Sequence, residues 1–422
     1  MVEYGLIGEK LGHSFSVKIH QCFGNDSYCL REIPREELDS FMKAADFEGL
    51  NVTIPYKQAV MDYCHMDEVC SRIGSVNTIV KEDDGLYAYN TDYLGFLYMT
   101  GRAGISFKGK KAVILGNGGT AKTAVYALQK EEAGEIILLS RRPEETRLGF
   151  PGCRVISYQD KDEFKDVEII VNTTPVGMYP NNGASPVSLN DFPKAESVVD
   201  VVYNPMRTAL LLQAEEKGLK YTDGLPMLVA QAWYAEALFF HKNMEPDDND
   251  ISDMEKTIEI LRKSVSNICL VGMPGCGKST VGSELAKRLG FAFIDTDEEF
   301  LRIHEMKAGD YITTYGEEAF RIKEAEVVAE VCKKTGVVIA TGGGSILRKE
   351  NRQAMHQNGI IVFLQRDMEL LERSGRPLSA SDEALKRLYE VRKPIYESMA
   401  DLRIKVSEGN PYRAVEEIQR FF

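Results

Sequence analysis

The 422-residue sequence contains no apolar run approaching the ~20 residues that a membrane-spanning helix needs. Its start, Met1-Val-Glu-Tyr4, lacks the basic-then-apolar pattern of a secretory signal. Cysteine is present eight times but never as Cys-x-x-Cys, which argues against a zinc or dithiol redox site. Basic residues are in deficit, 51 Lys and Arg against 64 Asp and Glu. The resulting net charge of −13 would repel nucleic acid and anionic membranes at long range. Small anions need only a local cluster of arginine, lysine and backbone donors. These absences predict a cytoplasmic protein with reduced cysteines, acting on small molecules and binding neither nucleic acid nor membrane. Oligomeric state is not legible at this level. A chain of 422 residues exceeds one ordinary core, so at least two domains are expected.

What is present begins with Gly272-Met-Pro-Gly-Cys-Gly-Lys-Ser279. It follows the apolar run Ile268 to Val271 and precedes Thr280 to Leu289, whose apolar positions recur at helical spacing. Strand, glycine loop and helix in that order are the setting of a phosphate-binding P-loop. The backbone N–H groups from Gly275 through Cys276, Gly277 and Thr280 would converge on nucleotide phosphates. Lys278 would reach the terminal phosphates, and the Ser279 hydroxyl would ligate Mg²⁺, so ATP and Mg²⁺ are the expected ligands.

A second glycine turn lies earlier. The run Lys111 to Leu115 enters Gly116-Asn-Gly-Gly-Thr120, a helical pattern continues through Leu128, and the strand-like Glu135 to Ser140 follows. Such a βαβ unit holds a dinucleotide pyrophosphate at the helix N-terminus through Gly116, Asn117, Gly118, Gly119 and Thr120. An NAD enzyme places a carboxylate after the second strand to bind the ribose 2′-hydroxyl. This chain has Ser140-Arg141-Arg142 there, which suits a 2′-phosphate and hence NADP(H).

Around this unit stand short polar breaks between apolar stretches, where sites on rigid scaffolds are built. Ser14 and Ser16, spaced i and i+2, point one way in an extended segment, although Ser16 also suits a helix cap. In Asn51-Val-Thr-Ile-Pro-Tyr-Lys57, alternation puts Asn51, Thr53 and Pro55 on one face, and Lys57 at the strand exit. Lys57 needs a partner before it can do chemistry; Asn77 and Asp92 are the candidates. Gln231, in the helical stretch from Gly224 to Phe240, either faces a ligand or is solvated.

Taken jointly, His13-Ser-Phe-Ser16, Asn51 to Lys57, Gly74-Ser-Val-Asn-Thr78, Asn90-Thr-Asp92, the Gly-x-Gly-Gly turn, Asn172-Thr-Thr-Pro-Val-Gly-Met178 and Gly224 to Gln231 resemble the shikimate dehydrogenase family, in order, to about residue 264. The resemblance implies that Ser14, Ser16, Asn51, Thr53, Lys57, Asn77, Asp92 and Gln231 surround the substrate, with Lys57 and Asp92 as acid and base. Two departures stand out: Val17 replaces the family's usual proline, and Ser140 its usual asparagine.

The remaining third continues with Phe291-Ala-Phe-Ile-Asp-Thr-Asp297, a strand ending in two carboxylates, then Phe320-Arg321, Val337 to Thr341 with Gly342-Gly-Gly344 at its exit, and Ile360 to Leu364. Alternating strands and helices predict a parallel sheet with its site at the strand carboxyl ends. Together with the P-loop, Arg376-Pro-Leu378 and Arg392-Lys-Pro-Ile-Tyr396, these motifs resemble the shikimate kinase family. By that resemblance Asp297, Arg321, Gly343, Gly344 and Arg392 bind the substrate, and Asp297 also acts as base. Asp295 would sit near Mg²⁺, Arg373 on the nucleotide base, and Arg376 in a short lid that closes over ATP.

The expected fold is α/β throughout. A substrate domain (1–100 and 225–264) carries an inserted Rossmann-like NADP domain (101–224), and a P-loop kinase domain follows (265–422). Between the two, Ser252-Asp-Met-Glu255 reads as a capping box that starts a last helix over 252–263, with Ser264 to Ser266 as the joint. The expected activities are NADPH-dependent reduction of 3-dehydroshikimate and ATP-dependent phosphorylation of the shikimate formed. The rival readings are a quinate-type dehydrogenase joined to a kinase for another small polyol, and a regulator that binds nucleotides without turnover.

Overall fold

The computed structural model describes residues 3–12, 14–371, 382–406 and 411–422. The chain divides into two compact units, Met1–Ile260 and Leu261–Phe422. The division falls inside the helix Asp248–Val265, which starts earlier than the capping-box pattern predicts. Its cap is supplied by Asp247, whose Oδ1 accepts from the backbone N–H groups of Asn249 and Asp250 at 2.8 and 2.9 Å. Ser252 therefore lies within the helix, and Ser266 alone separates it from the next strand. The predicted apolar face, Met254, Ile258 and Leu261, is buried. Among the described residues no helix is long and apolar enough to cross a membrane. None of the eight cysteines forms a disulfide.

The first unit holds two sheets. One is built from β1 (Tyr4–Gly8), β2 (Cys29–Glu32), β3 (Gly49–Val52), β4 (His65–Met66), β5 (Thr78–Glu82) and β6 (Gly85–Tyr89), in the order β2-β1-β3-β5-β6-β4. It is mixed: β5 runs antiparallel to β3 and β6, and the other pairs are parallel. The strand predicted to run to Pro55 stops at Val52, so Thr53 to Lys57 form the loop at its carboxyl end.

The other sheet comprises β7 (Lys111–Leu115), β8 (Glu135–Ser140), β9 (Arg154–Ser157), β10 (Ile169–Asn172), β11 (Ser197–Asp200) and β12 (Lys220–Thr222). All its pairs are parallel, in the order β12-β11-β10-β7-β8-β9. The chain winds outward from β7 to β9 and, on the other side, from β10 to β12. The winding reverses between β7 and β10, and ligands of open parallel sheets bind at such a switch point. The strands are buried on both faces and read as continuous apolar runs such as Ala112-Val-Ile-Leu115 and Val198-Val199.

The second unit has one sheet, β13 (Asn267–Val271), β14 (Ala292–Asp295), β15 (Val337–Ala340), β16 (Gly359–Gln365) and β17 (Leu402–Lys405), all parallel, in the order β14-β15-β13-β16-β17. Every residue of the central β13 is buried. The P-loop leaves its carboxyl end and leads into the helix Lys278–Leu289.

Two features of the first unit fix the loop after β11. The Asp200 carboxylate is buried and accepts from Asn172 Nδ2 (2.9 Å), Val202 N (3.0 Å) and Thr208 Oγ1 (2.7 Å), tying β10, β11 and the loop together. Burial raises its pKa to about 7 despite these donors. Gly224 packs so tightly beneath the same loop that a Cβ there would stand 2.0 Å from Val201 O. Because the folded pKa of Asp200 lies above that of the unfolded chain, its burial favours the folded state less and less as pH rises from about 4 to about 7. Asp200→Asn should therefore gain stability relative to the unmodified chain across this window, read from fluorescence of Trp233, the single tryptophan. A difference that does not change with pH would refute this reading. Gly224→Ala should destabilise the same unit by roughly 1–3 kcal/mol through overpacking, measured by the same signal in urea.

Candidate active sites

The first unit encloses a cavity of about 290 Å³ lined by Ser14, Ser16, Asn51, Thr53, Lys57, Asn77, Asp92 and Gln231, together with Leu6, Val52, Thr120, Val201, Tyr203, Gly224, Met227 and Leu228. All eight residues expected around the substrate thus meet in one place, from elements separated by more than two hundred positions in the chain. Lys57 Nζ donates to Asp92 Oδ2 at 2.5 Å, and both side chains are about three-quarters buried. This resolves the choice of partner for Lys57 in favour of Asp92. Such a pair offers an ammonium donor, held by a carboxylate, to an oxygen in the cavity.

Other side chains brace the pocket. Asn51 accepts from Tyr28 OH at 2.7 Å, and its Nδ2 faces Thr78 Oγ1 (3.1 Å) and Asn77 O (3.3 Å), so its amide is satisfied within the protein. Asn77 accepts from Thr91 N at 2.7 Å and lies 3.5 Å from Gln231 Oε1. Ser16 is the first residue of the helix Ser16–Cys22 and makes no side-chain cap; instead Ser14 Oγ accepts from Ser16 N at 3.2 Å and donates to Ser16 Oγ at 2.9 Å. The two hydroxyls do face one cavity, as the spacing predicts. Tyr203 was not singled out by the sequence. It stands edge-on to Phe15 at 6.0 Å, steadying the serine loop, and its position three residues past β11 was the only available signal.

The glycine turn after β7 opens the helix Gly119–Lys130. A Cβ at Gly116 would approach Thr173 Oγ1, in the loop after β10, to 2.8 Å, so the turn sits at the switch point. Thr120 also lines the cavity, which makes the dinucleotide turn and the substrate pocket adjoin. At the end of β8, the buried Ser140 hydroxyl is engaged by Thr146 Oγ1 (2.8 Å) and Arg142 N (3.0 Å), and Asn117 Nδ2 donates to the same threonine. Arg141 and Arg142 remain exposed beside the turn. Two guanidinium groups next to a glycine turn fit a dinucleotide carrying a 2′-phosphate.

The second unit encloses a larger cavity, about 570 Å³, bounded by the P-loop, Asp295, Asp297, Arg321, Glu324, Gly342 to Gly344, Arg366 and Arg392. Gly277 has φ +100°, a left-handed conformation that turns the loop into its helix. Lys278 Nζ rests on the carbonyls of Gly272 and Met273 at 3.0 and 3.1 Å. Ser279 Oγ donates to Asp295 Oδ2 at 2.6 Å. One hydroxyl and one carboxylate form the sparse protein ligand set that Mg²⁺ takes when phosphate and water complete its shell. Asp295 also caps the helix Thr296–His304 by accepting from Asp297 N, leaving the exposed Asp297 carboxylate in the cavity.

Opposite lie two buried guanidinium groups of unequal state. Arg321 donates to Glu324 (2.8 Å) and Glu317 (3.1 Å); burial opposes its charge, but the two carboxylates outweigh it and raise its pKa. Glu324 further accepts from Ser345 Oγ at 2.7 Å. Arg392 has no carboxylate partner among the described residues, and its Nε is unpaired. Burial lowers its pKa, and the Arg321 charge adds to the effect. A buried cation in this state is completed by an anion entering the cavity. Gly344 permits the approach of Arg321, since a Cβ there would stand 2.4 Å from its Nη2. Tyr396 OH donates to Gly343 O at 2.5 Å. Arg373 and Arg376, assigned by resemblance to the nucleotide and the lid, lie outside the described residues. Glu324 was missed by sequence reasoning, although its position three residues beyond Arg321 on a helix was a readable signal.

Comparison with known proteins finds relatives of both units. The family model for the shikimate dehydrogenase substrate binding domain matches residues 6–79, and that for shikimate kinase matches residues 274–422. The shikimate dehydrogenase (NADP(+)) of Clostridium perfringens is 39% identical over 247 residues, 56% of this chain and 91% of that protein. The enzyme of the same name from Caldanaerobacter subterraneus is 36% identical over 261 residues, 58% of this chain and 93% of its own. Among solved structures, a chorismate mutase/shikimate 5-dehydrogenase fusion protein from Clostridium acetobutylicum is 38% identical with a TM-score of 0.57, covering 62% of this chain and 97% of the other. The shikimate 5-dehydrogenase of Thermus thermophilus, solved with NADP(H) and shikimate, is 31% identical with a TM-score of 0.54, covering 62% and 99%. The chain therefore belongs to the shikimate dehydrogenase family through its first unit and carries a shikimate kinase domain in its second.

Proposed function

We propose that the first unit reduces the ketone of 3-dehydroshikimate to shikimate, and that the second phosphorylates shikimate to shikimate 3-phosphate. The observation that carries this reading is the pair of complementary pockets in one chain. The first has a lysine–carboxylate pair among hydroxyls and amides, and the second has a buried guanidinium without a carboxylate partner among the described residues, and a carboxylate, beside a P-loop.

In the first site NADPH supplies the hydride. Lys57 Nζ donates the proton that the ketone oxygen takes as the carbon is reduced, so C=O becomes CH–OH with one hydride and one proton added. Asp92 accepts from the same ammonium and orients it. Ser14, Ser16, Thr53 and Gln231 supply hydrogen bonds to the ring hydroxyls and carboxylate, with Asn77 holding Gln231 and Asn51 fixed beside them by Tyr28 and Thr78.

In the second site MgATP supplies the phosphoryl group. Arg392, with Arg321 beside it, binds the acceptor's carboxylate, and Asp297 accepts the proton leaving the attacking hydroxyl. Lys278 exchanges the loop carbonyls on which it rests for phosphate oxygens, where its charge offsets that developing in transfer.

One incubation of the chain with 3-dehydroshikimate, NADPH and MgATP, read by mass spectrometry, should yield shikimate 3-phosphate. Lys57→Ala should lower the dehydrogenase kcat by roughly 10²–10⁴ and leave the kinase intact, while Lys278→Ala should do the reverse. Unchanged 3-dehydroshikimate, or shikimate that accumulates without phosphorylation, would reject the first or second assignment respectively. Arg392→Lys should raise the kinase KM for shikimate at least about tenfold, because the fork of donors is lost; an unaltered KM would remove Arg392 from the acceptor site.

A further inference from the structure

Besides Lys278 of the P-loop and the acceptor-side Arg321 and Arg392, two cations line the cavity of the second unit: Lys307, at the start of the helix Ala308–Tyr315, and Arg366. Arg366 follows β16, which pairs with β13 on the edge opposite β15. Asp297 and Gly344 reach the cavity from the β14 and β15 side of the P-loop, and Arg366 reaches it from the other.

The contacts of Arg366 leave its charge uncompensated. Nη1 lies 3.4 Å from Gly275 O, a long contact to a neutral acceptor in the P-loop itself. Its Nε is buried and unpaired. No carboxylate pairs with it among the described residues, and the adjacent Asp367 is taken by Lys405 at 3.2 Å. Lys278 is in the same condition, its ammonium resting on two loop carbonyls. Both cations therefore border the loop whose N–H groups face phosphate, and both sit on neutral acceptors that an anion would replace.

We propose that Arg366 is a nucleotide-binding residue of the kinase site, donating from its guanidinium to a phosphate oxygen of ATP as a second cation beside Lys278. A phosphate is favoured over the base because the contact is to the P-loop backbone. It is favoured over the acceptor because Arg366 approaches from the far side of the loop. The assignment rests on the kinase reading of this unit.

The test is calorimetric titration of the full-length chain, with the first unit saturated by NADP⁺, using MgATP and inorganic tripolyphosphate with Mg²⁺ as separate ligands. Arg366→Ala should weaken both by about tenfold. Arg366→Lys should recover part of the loss, and the KM for shikimate should stay within twofold. ATP affinity within twofold of the unmodified chain would overturn the proposal. Weakened ATP binding with tripolyphosphate unaffected would also overturn it, since that result assigns Arg366 to the base. A KM for shikimate that rises as much as that for ATP would overturn it in favour of the acceptor. Absence of ATP binding by the unmodified chain would remove the kinase reading and this assignment together.

Discussion

Phosphate must come within hydrogen-bonding reach of backbone N–H groups, and that single steric demand organises both nucleotide sites of this chain. A parallel strand buried on both faces delivers the backbone to the sheet edge, and a glycine turn lets it bend sharply without a Cβ in the way. At Gly116 the turn is confined by Thr173, and at Gly277 the left-handed φ redirects the chain into its helix. Everything else in each site is arranged around the place thus created. Thr120 joins the first turn to the cavity holding Lys57 and Asp92, and Ser279 joins the P-loop to Asp295.

The two cavities differ in how charge is handled. In the first, one cation is balanced by one carboxylate, and most remaining groups are neutral donors and acceptors already tied to one another, such as Asn51, Asn77 and Thr78. Such a site positions a substrate by hydrogen bonds and keeps one proton donor in reserve. In the second, charges of both signs line the wall, Asp295, Asp297 and Glu298 among them; Arg321 is compensated by Glu324 and Glu317, while Arg392, Lys278 and Arg366 form no ion pair with a carboxylate among the described residues.

Much of this architecture was legible in one dimension, because the relevant signals are local. Continuous apolar runs mark buried parallel strands, the glycine spacing marks the turns, and Ser140-Arg141-Arg142 marks the end of β8. The misread boundaries have separate causes. The strand at Asn51 stops at Val52, where its pairing with β1 ends, and the helix before β13 begins at Asp248 because Asp247 caps it ahead of the box at Ser252. Tyr203 was passed over because a tyrosine in a loop has no local pattern that sets it apart from a solvated residue, and Glu324 because its i,i+3 spacing to Arg321 is one that solvated helix pairs share.

The sequence by itself determined the succession of α/β units, the two phosphate-binding turns and the residue types available to each site, since these follow from periodicity and from what glycine alone permits. The tertiary structure decided which of those residues act on one another. Lys57 faces Asp92 because the loops after β3 and β6 end at the same edge, and of the two acceptor-side arginines Arg392 is the one without a carboxylate partner among the described residues because Glu324 and Glu317 lie on the helix of Arg321. Such pairings depend on which strand ends converge in space, and the distance along the chain carries no record of that.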